Sequence, residues 1–204
     1  MREMGRLFAV NGPMPRYKDN GNFLTGKLLI AMPQLDSPPF NRSVVYVCAH
    51  SPEGAMGLVI NRLVHSLSFG DLLRQLEIEV GDHFVDRRIL YGGPVETSRG
   101  FVLHSTDRME ESTMLVDDDI ALTSTVDILR AMVEGDGPRR SLLALGYAGW
   151  GPGQLDQELQ ENSWLHVEAD DALLFDQDLD SKWHRSIAKI GININMLSGQ
   201  AGHA

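Results

Sequence analysis

Ser43-Val-Val-Tyr-Val-Cys-Ala-His-Ser-Pro-Glu-Gly-Ala-Met-Gly-Leu-Val-Ile-Asn61 holds two apolar runs, parted by Ser51-Pro52 and a loop containing Gly54. Short β-branched runs bounded by Pro and Gly read as strands, here Ser43–His50 and Gly57–Asn61. They are close enough in sequence to form a hairpin. Strands that follow one another without an intervening helix argue against a doubly wound parallel fold. The expected class is α+β: one domain with a mixed, largely antiparallel sheet flanked by helices.

The rest of the chain agrees with that reading. Upstream, Lys27-Leu-Leu-Ile-Ala-Met32 is a short apolar run stopped by Pro33. Downstream, Arg88-Ile-Leu-Tyr91 runs into Gly92-Gly-Pro-Val95, and Gly100-Phe-Val-Leu-His104 follows as another strand. Ser68 is placed as a helix N-cap with Asp71 at N3, and Leu67 and Leu72 stand where a hydrophobic staple forms. That helix should end near Gln75–Glu77. Ser124-Thr-Val-Asp127 repeats the cap signature, and Val126, Leu129, Met132 and Val133 continue as a helical stripe to Gly135.

Ser141-Leu-Leu-Ala-Leu-Gly146 has a buried-strand pattern and leads into Gly146-Tyr-Ala-Gly-Trp-Gly-Pro-Gly-Gln-Leu155. With four glycines and a proline, that stretch reads as a turn, anchored by Trp150 and followed by a helix over Gln154–Gln160. Leu173-Leu-Phe175 is a short apolar segment. Trp183, Ile187 and Ile190 mark one face of a final helix. Residues 1–22 read as a weakly ordered leader, 23–198 as the domain and 199–204 as a flexible C-terminus.

Composition narrows the function. The 204 residues carry 18 basic and 28 acidic side chains, a formal charge of −10. Such a field repels polyanions, so direct nucleic-acid binding is disfavoured; the densest basic clusters are the pairs Arg87-Arg88 and Arg139-Arg140. No apolar run approaches the roughly 18 residues that would span a bilayer, so no membrane contact is expected. The single cysteine, Cys48, excludes an internal disulfide framework and fits a reducing compartment, so the expected localisation is cytoplasmic.

In their order and spacing, several pieces resemble the YqgE/AlgH family of bacterial proteins. They are Gly26-Lys-Leu-Leu-Ile-Ala-Met-Pro33, Phe40-Asn-Arg-Ser-Val-Val45, His50 with Gly54-Ala-Met-Gly-Leu-Val-Ile-Asn-Arg62, Gly92-Gly-Pro-Val95, Gly100-Phe-Val-Leu-His104, Gly146–Leu155 and the closing Gly191-Ile192. The match runs from about Gly21 to the C-terminus, and the leader departs from it. The resemblance implies a compact α+β domain around a strongly curved, partly barrel-like sheet. Some members carry a transcriptional-regulator label. The resemblance brings no assigned reaction and no catalytic residues to carry over.

The residues themselves nominate a few sites. Arg42, Asn61 and Arg62 flank the ends of the hairpin strands, where they can converge on one anion with the Gly92 and Gly93 amides as further donors. His104 ends its strand, where an acid/base group can project into a cleft. Trp150 can line a pocket, although the expectation here is an anchor. Cys48 and His50, two apart on a strand, would share a face and offer a thiolate and its base. With no second Cys/His pair at ligand spacing, the plainer reading is a buried thiol and a strand-end histidine. Asp117-Asp118-Asp119 lacks the spacing of a calcium loop and reads as a solvated acidic loop.

Neither a phosphate-binding Gly-x-x-x-x-Gly-Lys-[Ser/Thr] loop nor a Gly-x-Ser-x-Gly elbow is present. No cofactor, metal or catalytic set is expected. The leading expectation is a non-enzymatic regulatory or interaction protein with an unknown protein partner or small anionic ligand. The alternatives are a small-anion or nucleotide binder or enzyme using the Arg/Asn/His cleft and, below it, a direct DNA-binding regulator.

Overall fold

The computed structural model describes residues 23–35, 38–81 and 85–191. The expectations for 1–22 and 199–204 lie outside these residues. The described part contains β1 (Lys27–Ala31), β2 (Val44–Ser51), β3 (Gly54–Val59), α1 (Phe69–Gln75), β4 (Ile89–Tyr91), β5 (Val95–Ser105) and β6 (Met114–Leu115). It continues with β7 (Ile120–Thr123), α2 (Val126–Glu134), β8 (Ser141–Trp150), α3 (Gln154–Gln160), β9 (Trp164–Glu168), α4 (Asp171–Phe175) and α5 (Leu179–Lys189).

The strands form one curled sheet in the order β6-β7-β5-β8-β3-β2-β1-β9, with β4 beside β8. The β4–β8 pair is parallel and the other pairs are antiparallel, so the mixed α+β class holds. The β2–β3 hairpin forms as expected, but β3 starts at Gly54, leaving Pro52 and Glu53 as the turn.

Alternating side chains explain the layers. Leu28, Ile30, Val44, Tyr46, Phe101 and Leu103 point to one face, where Leu174, Trp183 and Ile187 of α4 and α5 cover them. Leu29, Val45 and Val47 point to the other and meet Leu155 and Trp164. Further along that second face, Val102, Leu143 and Leu145 meet Leu72 and Leu73 of α1 and Ile128 and Leu129 of α2. A sheet buried on both faces needs apolar residues at nearly every position, which is why the strands read as unbroken apolar runs. Each fully buried Leu, Ile or Val contributes about 1.5–3 kcal/mol.

Helix α1 starts as the sequence predicts. Ser68 accepts from the Asp71 amide at 3.1 Å, and the Asp71 side chain returns to the Ser68 amide. Helix α2 differs: its N-cap is Thr125, not Ser124, and no side chain caps it. The Thr125 hydroxyl donates instead to Glu110 at 3.1 Å. Helix α3 covers Gln154–Gln160 as expected.

The Gly146–Leu155 stretch is mostly not a turn. Gly146–Trp150 is the second half of β8, and the turn is confined to Gly151, Pro152 and Gly153. The glycines serve a backbone crossing. Gly146 has φ +72° and Gly93 has φ +154°, and a Cβ on either would land inside the other segment's main chain. Strands β6, β7 and β9 were missed, β6 and β7 because they are only two and four residues long and β9 because Trp164-Leu-His-Val-Glu168 mixes polar and apolar residues at the sheet edge.

Candidate functional site

Two hydrogen bonds organise the corner where β2 begins. Asn61 accepts from the Val44 amide at 2.8 Å and donates to the Arg42 carbonyl at 2.9 Å. This holds Arg42 in a left-handed conformation (φ +50°) with its guanidinium 5.4 Å from the Trp183 ring centre. Arg62 reaches across to the Asn41 carbonyl, and its own carbonyl accepts from the Tyr91 amide at 2.9 Å. Arg42, Asn61 and Arg62 are thus brought together. Gly92 lies next to Tyr91, but its amide donates to Leu145 at 2.8 Å and its carbonyl accepts from Val59 at 2.8 Å. The backbone at Gly92 and Gly93 knits β3, β4 and β8.

Beside this corner opens a cleft of about 950 Å³, lined by Asn61, Arg62, His65, Arg88 and Tyr91 and also by Asp178 and Asp180. It meets a second cavity of about 390 Å³ at Arg88, Gln177 and Leu179. Arg87, Ser141 and Lys182 supply polar groups to that cavity, and Leu90, Leu143 and Phe175 apolar ones. Arg88 donates to the Gln177 carbonyl at 2.7 Å and Arg87 to the Ser141 hydroxyl at 3.1 Å. Burial lowers the Arg87 pKa from its usual value. Asp178 uses its carboxylate to cap α5, and the Ser181 hydroxyl and amide hold its pKa below the usual range.

The ion pairs single out this place. Most described arginines lie against a carboxylate, from Arg74 on Asp71 to Arg185 on Asp176. Arg42, Arg62, Arg87 and Arg88 have no described carboxylate within ion-pair reach. The Arg62 Nε is buried without an acceptor. Sequence reasoning found Arg42, Asn61 and Arg62 but not Arg87 and Arg88, which stood out only as adjacent basic residues.

Lys182 is 1% exposed and was also missed. Its ammonium donates to the Leu174 carbonyl at 3.2 Å and lies 3.6 Å from Asp176 Oδ1. Burial lowers its pKa and Asp176 works against that. The contacts make it a cap on the end of α4.

The other nominated residues lie apart from the cleft. His104 is fully buried on β5, with Nδ1 2.9 Å from the Ser105 carbonyl and Nε2 2.8 Å from the Thr123 hydroxyl. The carbonyl requires the proton on Nδ1, so Nε2 accepts from Thr123, whose oxygen is 2.7 Å from Thr113. Burial lowers the His104 pKa, more than the Ser105 carbonyl raises it.

The indoles of Trp150 and Trp164 pack 5.9 Å apart, edge to face, and both donate to Glu158 Oε2, at 2.9 and 2.8 Å.

Cys48 and His50 do not share a face. The β2–β3 register shifts between Val47 and Ala49, adding one residue to the alternation. Cys48 packs with Tyr46 on the α5 side, where burial pushes its thiol pKa up. His50 turns to the other side, accepting from the Leu24 amide at 3.2 Å and facing Asp156 at 3.7 Å. Asp117 accepts from the Tyr46 hydroxyl at 2.8 Å and from the Asp119 and Ile120 amides, so the acidic stretch orders its own turn before β7. Among the described residues no three His, Cys, Asp or Glu side chains are placed to share a metal ion. No helix among them is long and apolar enough to cross a membrane.

Comparison with known proteins gives a consistent picture. The model of the AlgH-like family matches residues 28–195. A UPF0301 protein of Afipia carboxidovorans is 54% identical over 190 residues, covering 89% of this chain and 90% of its own. A UPF0301 protein of Bradyrhizobium diazoefficiens is 51% identical over 211 aligned residues, 100% of this chain and 98% of its own. The solution structure of the AlgH protein from Pseudomonas aeruginosa superposes with a TM-score of 0.73 at 40% identity, covering 93% of this chain and 100% of that one.

Proposed function

The chain belongs to the AlgH-like family, and on that premise we propose that it is a non-enzymatic regulatory protein of the cytoplasm, governed by a small anionic ligand held in the Arg62–Arg88 cleft. One observation carries this reading: Arg62 and Arg88, neither within ion-pair reach of a described carboxylate, line one cleft, and Arg87, likewise without such a partner, lines the cavity that adjoins it. Guanidinium forks match phosphate and carboxylate oxygens, and a cleft wall strengthens that attraction by excluding water. The non-catalytic part is supported by the groups that would do chemistry. The Cys48 thiol is buried and its pKa raised, while both ring nitrogens of His104 are engaged inside the protein. Action through a partner protein is favoured over direct DNA contact, because the acidic field opposes a polyanion.

Thermal denaturation of the whole chain with phosphate, pyrophosphate, citrate and ATP tests the proposal. At about 100 times its dissociation constant a native-state ligand adds about 2.7 kcal/mol, which raises the midpoint by roughly 5–10 °C in a chain of this size. At least one of these anions should do so, and Arg88→Met and Arg62→Met should abolish the shift. A midpoint that none of the four moves, or one that moves equally in both variants, refutes the cleft as the site.

A further inference from the structure

The end of the β2–β3 hairpin, β5 and β8 border another, open cavity of about 510 Å³. Met56, Val95, Arg99, Phe101, Tyr147 and Gly149 line it. One wall is apolar, where Tyr147 packs edge to face on Phe101 with ring centres 5.8 Å apart, while Ser51 and Glu53 add polar groups at the hairpin end. Into this lining comes one guanidinium, with the Arg99 Cζ 5.1 Å from the Phe101 ring centre.

The bonding of Arg99 is lopsided. Its Nη1 donates to Glu96 Oε2 at 2.9 Å. Its Nε and Nη2 are buried with no hydrogen-bond partner. Those two N–H groups form the edge of the guanidinium that grips a carboxylate with two parallel bonds. A buried donor left without an acceptor costs about 1–3 kcal/mol, more when charged, so an acceptor arriving here recovers that loss. The segment carrying the arginine leaves the regular pairing. Pairing of β5 with β8 jumps from Val95–Tyr147 to Gly100–Leu145, so Glu96–Arg99 stands off the ladder, with Glu96 in a left-handed conformation (φ +46°).

We propose that this cavity is a second ligand site, separate from the Arg62–Arg88 cleft, and that it takes a small carboxylate with a flat apolar body. The carboxylate seats on the Nε/Nη2 edge of Arg99 and the body lies against Phe101, Tyr147 and Met56. Flat bodies suit this wall because aromatic faces pair best edge to face or offset. Selection for the anion follows from the unfilled donors: a neutral counterpart carries no charge and cannot make the two parallel bonds.

Benzoate and its neutral counterpart benzyl alcohol are the probes, titrated into the full chain by calorimetry. Benzoate should bind and benzyl alcohol should bind at least about tenfold more weakly. Arg99→Lys keeps the charge but loses the planar fork, and should weaken benzoate by a similar factor. Arg88→Met should leave it unchanged. Absence of benzoate binding, equal binding of the alcohol, indifference to Arg99→Lys, or loss in Arg88→Met each overturns the proposal. Should Arg99→Lys fail to fold, magnetisation transfer in the unaltered protein decides. Transfer from benzoate to the Met56 methyl and the Tyr147 ring supports the site, and its absence overturns it.

Discussion

The Trp150 corner and the Arg88 cleft both set polar groups against large apolar side chains, and they settle them in opposite ways. At the corner one carboxylate, Glu158, accepts from both indoles through Oε2 and from Gln154 through Oε1 at 2.8 Å. Its donors and acceptors are satisfied within the protein. At the cleft Arg62 and Arg88 donate to main-chain carbonyls, and no described carboxylate lies within ion-pair reach of either one. A network closed on itself stabilises the fold, whereas charge left uncompensated beside a cavity is available to something that is not part of the chain. The motif that stands out most in the sequence belongs to the first kind.

The largest effect expected from this contrast is at the corner. Trp150→Ala should lower unfolding free energy by about 3–5 kcal/mol in urea denaturation, leaving the anion response of the cleft intact in whatever folds. A variant that is stable but has lost anion binding would reverse the roles assigned to the two regions.

Acid provides a second, intermediate test. His104 and His50 belong to the closed kind of site, and burial lowers both pKa values from 6.5. Below pH 6.5 the unfolded chain therefore takes up protons that the folded chain resists, and stability should fall as pH drops. His104→Gln, which stays neutral, should flatten the decline seen in denaturation curves between pH 7 and 5. A further loss comes between pH 3.8 and about 2, where the Asp107 carboxylate, held down by the Ser105 hydroxyl and then by Arg139, becomes protonated. An unchanged slope in His104→Gln would mean that this histidine titrates freely.

The smallest effect belongs to the cleft. Arg88→Met removes a charge with no described ion-pair partner, so the unfolding free energy measured in urea without ligand should change by no more than about 0.5 kcal/mol. A loss of several kcal/mol would place Arg88 with the structural groups and erase the contrast.

Much of the architecture was legible locally. The β2–β3 hairpin, the Ser68 capping box and the Trp183–Ile187 face of α5 follow from periodicity and cap chemistry confined to a few residues. The candidate site was half legible. Arg42, Asn61 and Arg62 are neighbours because they sit at adjoining ends of one hairpin, and sequence proximity shows this. Arg87 and Arg88 join them only after β4 is laid beside β8, with α4 and α5 folded over the sheet. Arg99 carried no local signal at all, since its unfilled edge depends on where β5 leaves the ladder.

The sequence alone thus determined most of the strands and helices, the β2–β3 hairpin among them, because those depend on short-range backbone preference and alternation. It also showed that the Gly146–Leu155 stretch specifies backbone shape, though not that five of those residues are strand. Only the tertiary structure decided which side chains meet. One extra residue between Val47 and Ala49 parts Cys48 from His50. The pairing of carboxylates with arginines leaves four guanidinium groups over. Both outcomes depend on distances between residues far apart in the chain, which no local pattern encodes.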